Sequence, residues 1–215
     1  MAVVGELLRR WQATVGLLAP HAGERAVTPA GQLLLERWGE PHRHYHNLVH
    51  LRELLAGVDV LADLPADVQA VRAGAWFHDA VYEGRPGADE QASAALARQV
   101  LTQIGVVEAR VEEVARLVLL TSTHDPAPGD SNGEVLCDAD LWILAAETSR
   151  YDEYRAAVRE EYPAWPEAAF RLGRGQVLRE LASRPALFRT PLAREHWESR
   201  ARANLERELA DLRAN

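Results

Sequence analysis

Lysine is missing from this chain altogether, and its 215 residues include one cysteine and one methionine. A single cysteine, Cys137, excludes an intrachain disulfide, and its place in an apolar run reads as a small core residue. No hydrophobic run reaches the ~20 residues of a membrane-spanning helix. The opening MAVVGELLRRW lacks the apolar stretch of a signal peptide, so the expectation is a soluble cytoplasmic protein. All 24 basic residues are arginine and stand against 32 acidic ones, for a net charge of −8. That balance argues against a nucleic-acid or anionic-membrane partner, whose phosphates call for a basic surface. With abundant Ala, Leu and Val, the absence of lysine reads as a GC-rich coding bias, so each arginine needs its own argument before it is assigned to phosphate. Strand-like alternation, solenoid-length repeats and low-complexity linkers are also missing, which leaves an all-α reading.

What is present is helical periodicity. Leu7, Leu8, Trp11, Val15 and Leu18 share one helix face. Thr28-Pro29 reads as an N-cap with proline in the first turn of a helix through Trp38. Further helices are expected from near Tyr45 to Leu55, from Pro65-Ala66-Asp67 to Asp79, over 90–104 and 107–120, and over roughly 136–147, 149–161, 164–183 and 191–213. Glu83 to Asp89 and His124 to Gly133 are loops by their Gly and Pro content, expected to rim a site. The six tryptophans read as core. At this length one domain is expected, spanning 1–215.

Within those apolar helices lie groups that are costly to bury unless satisfied: Tyr45-His46-Asn47-Leu48-Val49-His50, Phe77-His78-Asp79 and Asp138-Ala139-Asp140-Leu141. Imidazole plus carboxylate suits a first-row divalent cation better than a thiolate site or an all-oxygen cage does. On a helix, His46 and His50 would share a face one turn apart. Asp138 and Asp140 project about 200° apart, so at most one of them can be a ligand in a regular helix. Arg43, Arg174, Arg189 and Arg202 are candidate phosphate contacts because a guanidinium forks onto phosphate oxygens. Arg174 ranks first, since Gly173 and Gly175 beside it allow close approach.

The order His … His-Asp … Asp resembles the HD superfamily of metal-dependent phosphohydrolases. Its first block is similar to the signature of cyclic-nucleotide phosphodiesterases, which share that core. Tyr151 to Tyr162, Gly173-Arg174 and Ala201-Arg202-Ala203-Asn204-Leu205 are similar to uncharacterised bacterial predicted HD phosphohydrolases. The resemblance implies an HD-domain, phosphodiesterase-like helical bundle. Its metal-site core would lie over about 40–145 and its C-terminal packing helices over about 149–213. It implies His50, His78, Asp79 and Asp140 as metal ligands, with Asp79 bridging if there are two metals. His46 matches the general acid that protonates the leaving oxygen. His124, Glu90, Asp138 and Arg174 are further candidates for a second metal or for substrate. Glu90 and Ser93 resemble a Glu-x-x-Ser element, with Asp89 where that element often carries a histidine. Implied with them are one or two divalent ions (Mn, Co, Ni, Zn, Fe or Mg) and a small phosphorylated substrate, a nucleotide or a relative of one. Oligomeric state is left open. Rival readings are a di-iron oxygenase of the same superfamily and a binding module without turnover.

Overall fold

Apolar residues spaced three and four apart give this chain its helices, and the computed structural model, described over residues 2–214, is an all-α bundle. Eleven α-helices and no strand occur among the described residues. In the first half they are α1 (Ala2–Leu18), α2 (Glu24–Trp38), α3 (Leu48–Val60), α4 (Val68–Phe77), α5 (Ala88–Gln103) and α6 (Glu108–Leu120). After them come α7 (Ser131–Asp140), a 3-10 segment Leu141–Ala145, α8 (Thr148–Glu160), α9 (Glu167–Ser183), α10 (Pro191–His196) and α11 (Glu198–Ala214). One hydrophobic cluster runs from Leu7 to Leu209. None of the described helices is long and apolar enough to cross a membrane.

The short α4 is the hub. Asp67 caps it by accepting from the Gln69 and Ala70 amides, both at 3.1 Å. It buries every residue from Ala73 to Phe77 and packs against α1, α3, α6 and α7. Gly74 makes the approach to α6 and α7 possible, since a Cβ there would lie 3.2 Å from a Leu136 methyl and 3.4 Å from Leu117 Cβ. Gly57 does the same where α3 crosses α7, with Ala139 Cα 3.2 Å from the position a Cβ would take. These two crossings bring the end of α4, the start of α3 and the end of α7 to one place.

Several boundaries differ from the sequence reading. The second helix starts at Glu24, before Thr28, and Pro29 lies inside it. The third starts at Leu48 and not near Tyr45, because Asn47 takes the cap position and its Oδ1 accepts from the Val49 amide at 2.8 Å. His46 is therefore in the preceding turn and shares no helix face with His50. The expected helix over 191–213 breaks at Trp197, which joins α10 to α11. Trp165 is not core: it is 56% exposed.

Candidate metal centre

His50 stands in the first turn of α3, His78 is the C-cap of α4, and Asp140 is the last residue of α7. His50 Nε2 lies 3.3 Å from His78 Nε2 and 3.1 Å from Asp140 Oδ1. His78 Nε2 lies 3.5 Å from that same Asp140 oxygen. Together the three form a compact group that could hold a metal ion, both histidines being buried. Asp79, on the turn after α4, falls outside this group but adjoins it, with Oδ2 3.1 Å from His78 Nε2.

The chemistry of the donors fits a cation. His78 Nδ1–H donates to the Ala75 carbonyl at 3.0 Å, which directs the Nε2 lone pair into the group. Two imidazole nitrogens and two carboxylates then converge with more acceptors than protons. A proton is one cation this arrangement attracts. Burial pulls the His78 imidazole down, but the Asp79 and Asp140 carboxylates outweigh it and carry it up to about 9. Burial pushes Asp79 and Asp140 up; the facing imidazoles, His78 foremost, reverse that and hold both below the usual carboxylate range.

His124 completes the outer side. Its Nε2 lies 2.7 Å from Asp140 Oδ2. Its backbone is left-handed, at φ +48°, a conformation a non-glycine residue holds only when its surroundings enforce it. Arg184 supplies part of that enforcement by donating to the Thr123 and His124 carbonyls at 2.8 and 2.9 Å.

A second histidine–carboxylate assembly stands beside the first. The His46 Nδ1–H donates to Glu161 Oε2 at 2.6 Å, and the His46 ring stacks on Tyr82 with centroids 4.3 Å apart. Glu161 Oε1 accepts the amides of His44, Tyr45 and His46 at 2.7–2.9 Å, and Oε2 also accepts from the Tyr82 hydroxyl at 3.0 Å. Burial pushes the Glu161 carboxyl up, but these donors, the His46 imidazole first, bring it down to about 2. Burial likewise opposes the His46 charge, and the bond to Glu161 more than offsets it, leaving His46 raised.

Both assemblies border a cavity of about 830 Å³ through His46, His124 and Asp140. Arg174, Arg184 and Arg189 also line it. Two donors at its edge, the Tyr45 hydroxyl and Arg189 Nε, are buried with no hydrogen-bond partner among the described residues.

Four assignments from the sequence are corrected by this arrangement. Glu90 is not at the site; its carboxylate reaches back to the Gly87 amide at 2.5 Å and caps α5. Asp138, 0% exposed, points away from the histidines and binds the amides of Arg189 and Thr190, both at 2.7 Å. The loop from Glu83 to Asp89 does not line the cavity, being tied down where Asp89 accepts from the Glu83 and Arg85 amides. Arg43 and Arg202 are occupied by backbone carbonyls and glutamates, and neither lines the cavity. Arg174 does line it, with its guanidinium paired to Glu208 at 2.9 Å and to the Tyr154 hydroxyl at 2.9 Å.

Sequence reasoning missed Glu161, Arg184 and any role for Tyr45. One signal for Glu161 was available. It is the C-cap of α8, where a carboxylate opposes the helix dipole and therefore needs another partner. Comparison with family models, with curated proteins and with solved structures returns no match.

Proposed function

We propose that this chain is a metal-dependent phosphohydrolase of the HD superfamily, acting on a small phosphate ester, a nucleotide or a relative of one. The observation that carries the reading is the His50–His78–Asp140 group opening, through Asp140, onto a cavity that Arg174, Arg184 and Arg189 also line. His50, His78 and Asp140 would hold the ion, with Asp79 as a further ligand beside His78. A divalent cation held there supplies an activated water at neutral pH and polarises a phosphoryl oxygen. The chain's own residues account for the rest. Glu161 fixes the His46 Nδ1–H, which leaves Nε2 to deliver a proton to the leaving oxygen. The unpartnered Tyr45 hydroxyl and Arg189 Nε offer hydrogen bonds to the other phosphoryl oxygens.

The test is elemental analysis of protein purified without chelator or affinity nickel, followed by assay on para-nitrophenyl phosphate and its diester. One or two divalent ions per chain and metal-dependent hydrolysis are expected. The His78→Ala variant should keep its helical circular dichroism and lose at least about a thousandfold in rate, the several kcal/mol a polarising cation contributes. A protein that neither contains nor accepts metal, or a His78→Ala variant of full activity, would overturn the reading. Two irons per chain without hydrolysis would shift it to an oxygenase.

A further inference from the structure

A second cavity, of about 310 Å³, adjoins the first. His46, Tyr154, Arg174 and Val177 are walls of both, so one molecule can reach from one into the other. Their linings differ in kind. The larger adds His124, Asp140, Arg184 and Arg189 to the shared walls; the smaller adds Tyr162, Trp165 and Phe170, with Val158 and Ala169. The charge of Arg174 at the junction is already met by Glu208, and its guanidinium lies over the Tyr154 ring at 5.0 Å. Gly173 lies in the wall, and a Cβ there would meet nothing within 4 Å, so space is open at that point. Trp165, at 56% exposed, leaves a large aromatic surface at the rim with no cover.

We propose that this slot seats a planar aromatic group belonging to the phosphate ester whose phosphate lies in the larger cavity. The phosphate half rests on the phosphohydrolase reading; the aromatic half rests on the lining. Rings gain beyond area burial by stacking or meeting edge to face, and here Tyr162 and Phe170 already sit in a tilted pair with centroids 5.9 Å apart. A flat ring entering between them and Trp165 would replace water on apolar faces, while an acyclic polar group would leave those faces uncovered. Continuity with the polar cavity selects an ester of mixed character: charged at one end, aromatic at the other.

Calorimetric titration of the full chain with naphthyl phosphate and with glycerol phosphate tests this. Naphthyl phosphate should bind roughly tenfold more tightly, the size of one or two aromatic contacts. Gly173→Leu, which adds bulk at the slot wall and suits a helix better than glycine does, should remove that preference. Trp165→Ala, at an exposed position with little at stake in folding, should reduce it about threefold. Equal affinity for the two esters in the unmodified protein, or an undiminished preference in both variants, would overturn the proposal. Turnover of the same two esters separates this inference from the one beneath it. A preference lost in Gly173→Leu with neither ester hydrolysed would leave the slot standing and end the phosphohydrolase reading. Hydrolysis of both esters with equal affinity would do the reverse.

Discussion

At the His46–Glu161 assembly every acceptor has donors; a few ångströms away, at the His50–His78–Asp140 group, acceptors face one another. Glu161 receives three consecutive backbone amides, an imidazole N–H and a tyrosine hydroxyl. His50 Nε2, His78 Nε2, Asp140 Oδ1 and Asp79 Oδ2 instead meet at 3.1–3.5 Å, with only imidazole protons to share. Both pair imidazole with carboxylate and both are largely buried. What separates them is where the protons come from. A network that closes on backbone amides holds shape without help, whereas one made of lone pairs needs a cation from outside. The closed network fixes the turn that carries Tyr45 and His46, and the open one is where chemistry can happen.

The contrast can be broken hardest at Glu161. Removing its carboxylate strands the amides of residues 44–46 and the His46 imidazole, so Glu161→Ala should cost roughly 3–5 kcal/mol by denaturant unfolding. Glu161→Gln keeps an acceptor and should cost less, while changing the acid limb. The Glu161 carboxyl falls from its usual 4.5 to about 2 in the folded chain. The unfolded chain therefore binds the extra proton between those values, and stability rises with pH across that window. The stabilisation is complete above about pH 4.5 and is lost as pH falls toward about 2, worth about 3 kcal/mol. Unfolding curves from about pH 2.5 to 6 should show this loss in the unmodified protein and a flatter profile in Glu161→Gln. Equal slopes would remove Glu161 from the account.

Next in size is a pair that sharpens the comparison at its other side. Asp140→Asn should weaken divalent metal binding by more than about a hundredfold, beyond the loss typical of a residue that only orients a ligand. Asp138→Asn should leave metal stoichiometry and affinity alone. It should cost about 1–2 kcal/mol of stability through one lost bond to the Arg189–Thr190 amides. Metal titration and unfolding on the two variants decide it; a metal defect in Asp138→Asn would mean that the division between the two aspartates is wrong.

That division was half legible in the sequence. Two residues apart on a helix means about 200° of separation, so one aspartate had to face away from the other. Which one faced the histidines depended on where the Arg189–Thr190 segment returns, and no local pattern carries that. The all-α class followed directly from the spacing of Leu7, Trp11, Val15 and Leu18, all of which are buried. Reading His46 onto the face of His50 failed because Asn47 stops the helix, its Oδ1 accepting from the Val49 amide and its Nδ2 donating to the His44 carbonyl. What holds the preceding turn instead is long-range, the amides of residues 44–46 being gathered by Glu161, 115 residues away from His46. The left-handed His124 was equally hidden, because the Arg184 bonds that hold its turn span 60 and 61 residues.

The smallest expected effect tests whether the site ends where the geometry says it does. Glu90 lies in a Glu-x-x-Ser pattern that resembles an element of active sites, yet its carboxylate caps α5 through the Gly87 amide. Ser93 in the same pattern bonds the Val81 backbone at both its N–H and its carbonyl, holding the strand of chain that leaves Asp79. Both residues thus act on chain geometry, and neither offers an atom to the cavity. Glu90→Ala should lower stability by about 1 kcal/mol, the usual worth of a helix cap, or about 2–4 °C in Tm for a domain of this size. Metal affinity and the pH profile of turnover should stay where they were. If metal affinity falls in step with Tm, the loop over residues 83–89 is part of the cation's surroundings, and the open group extends further than its three residues.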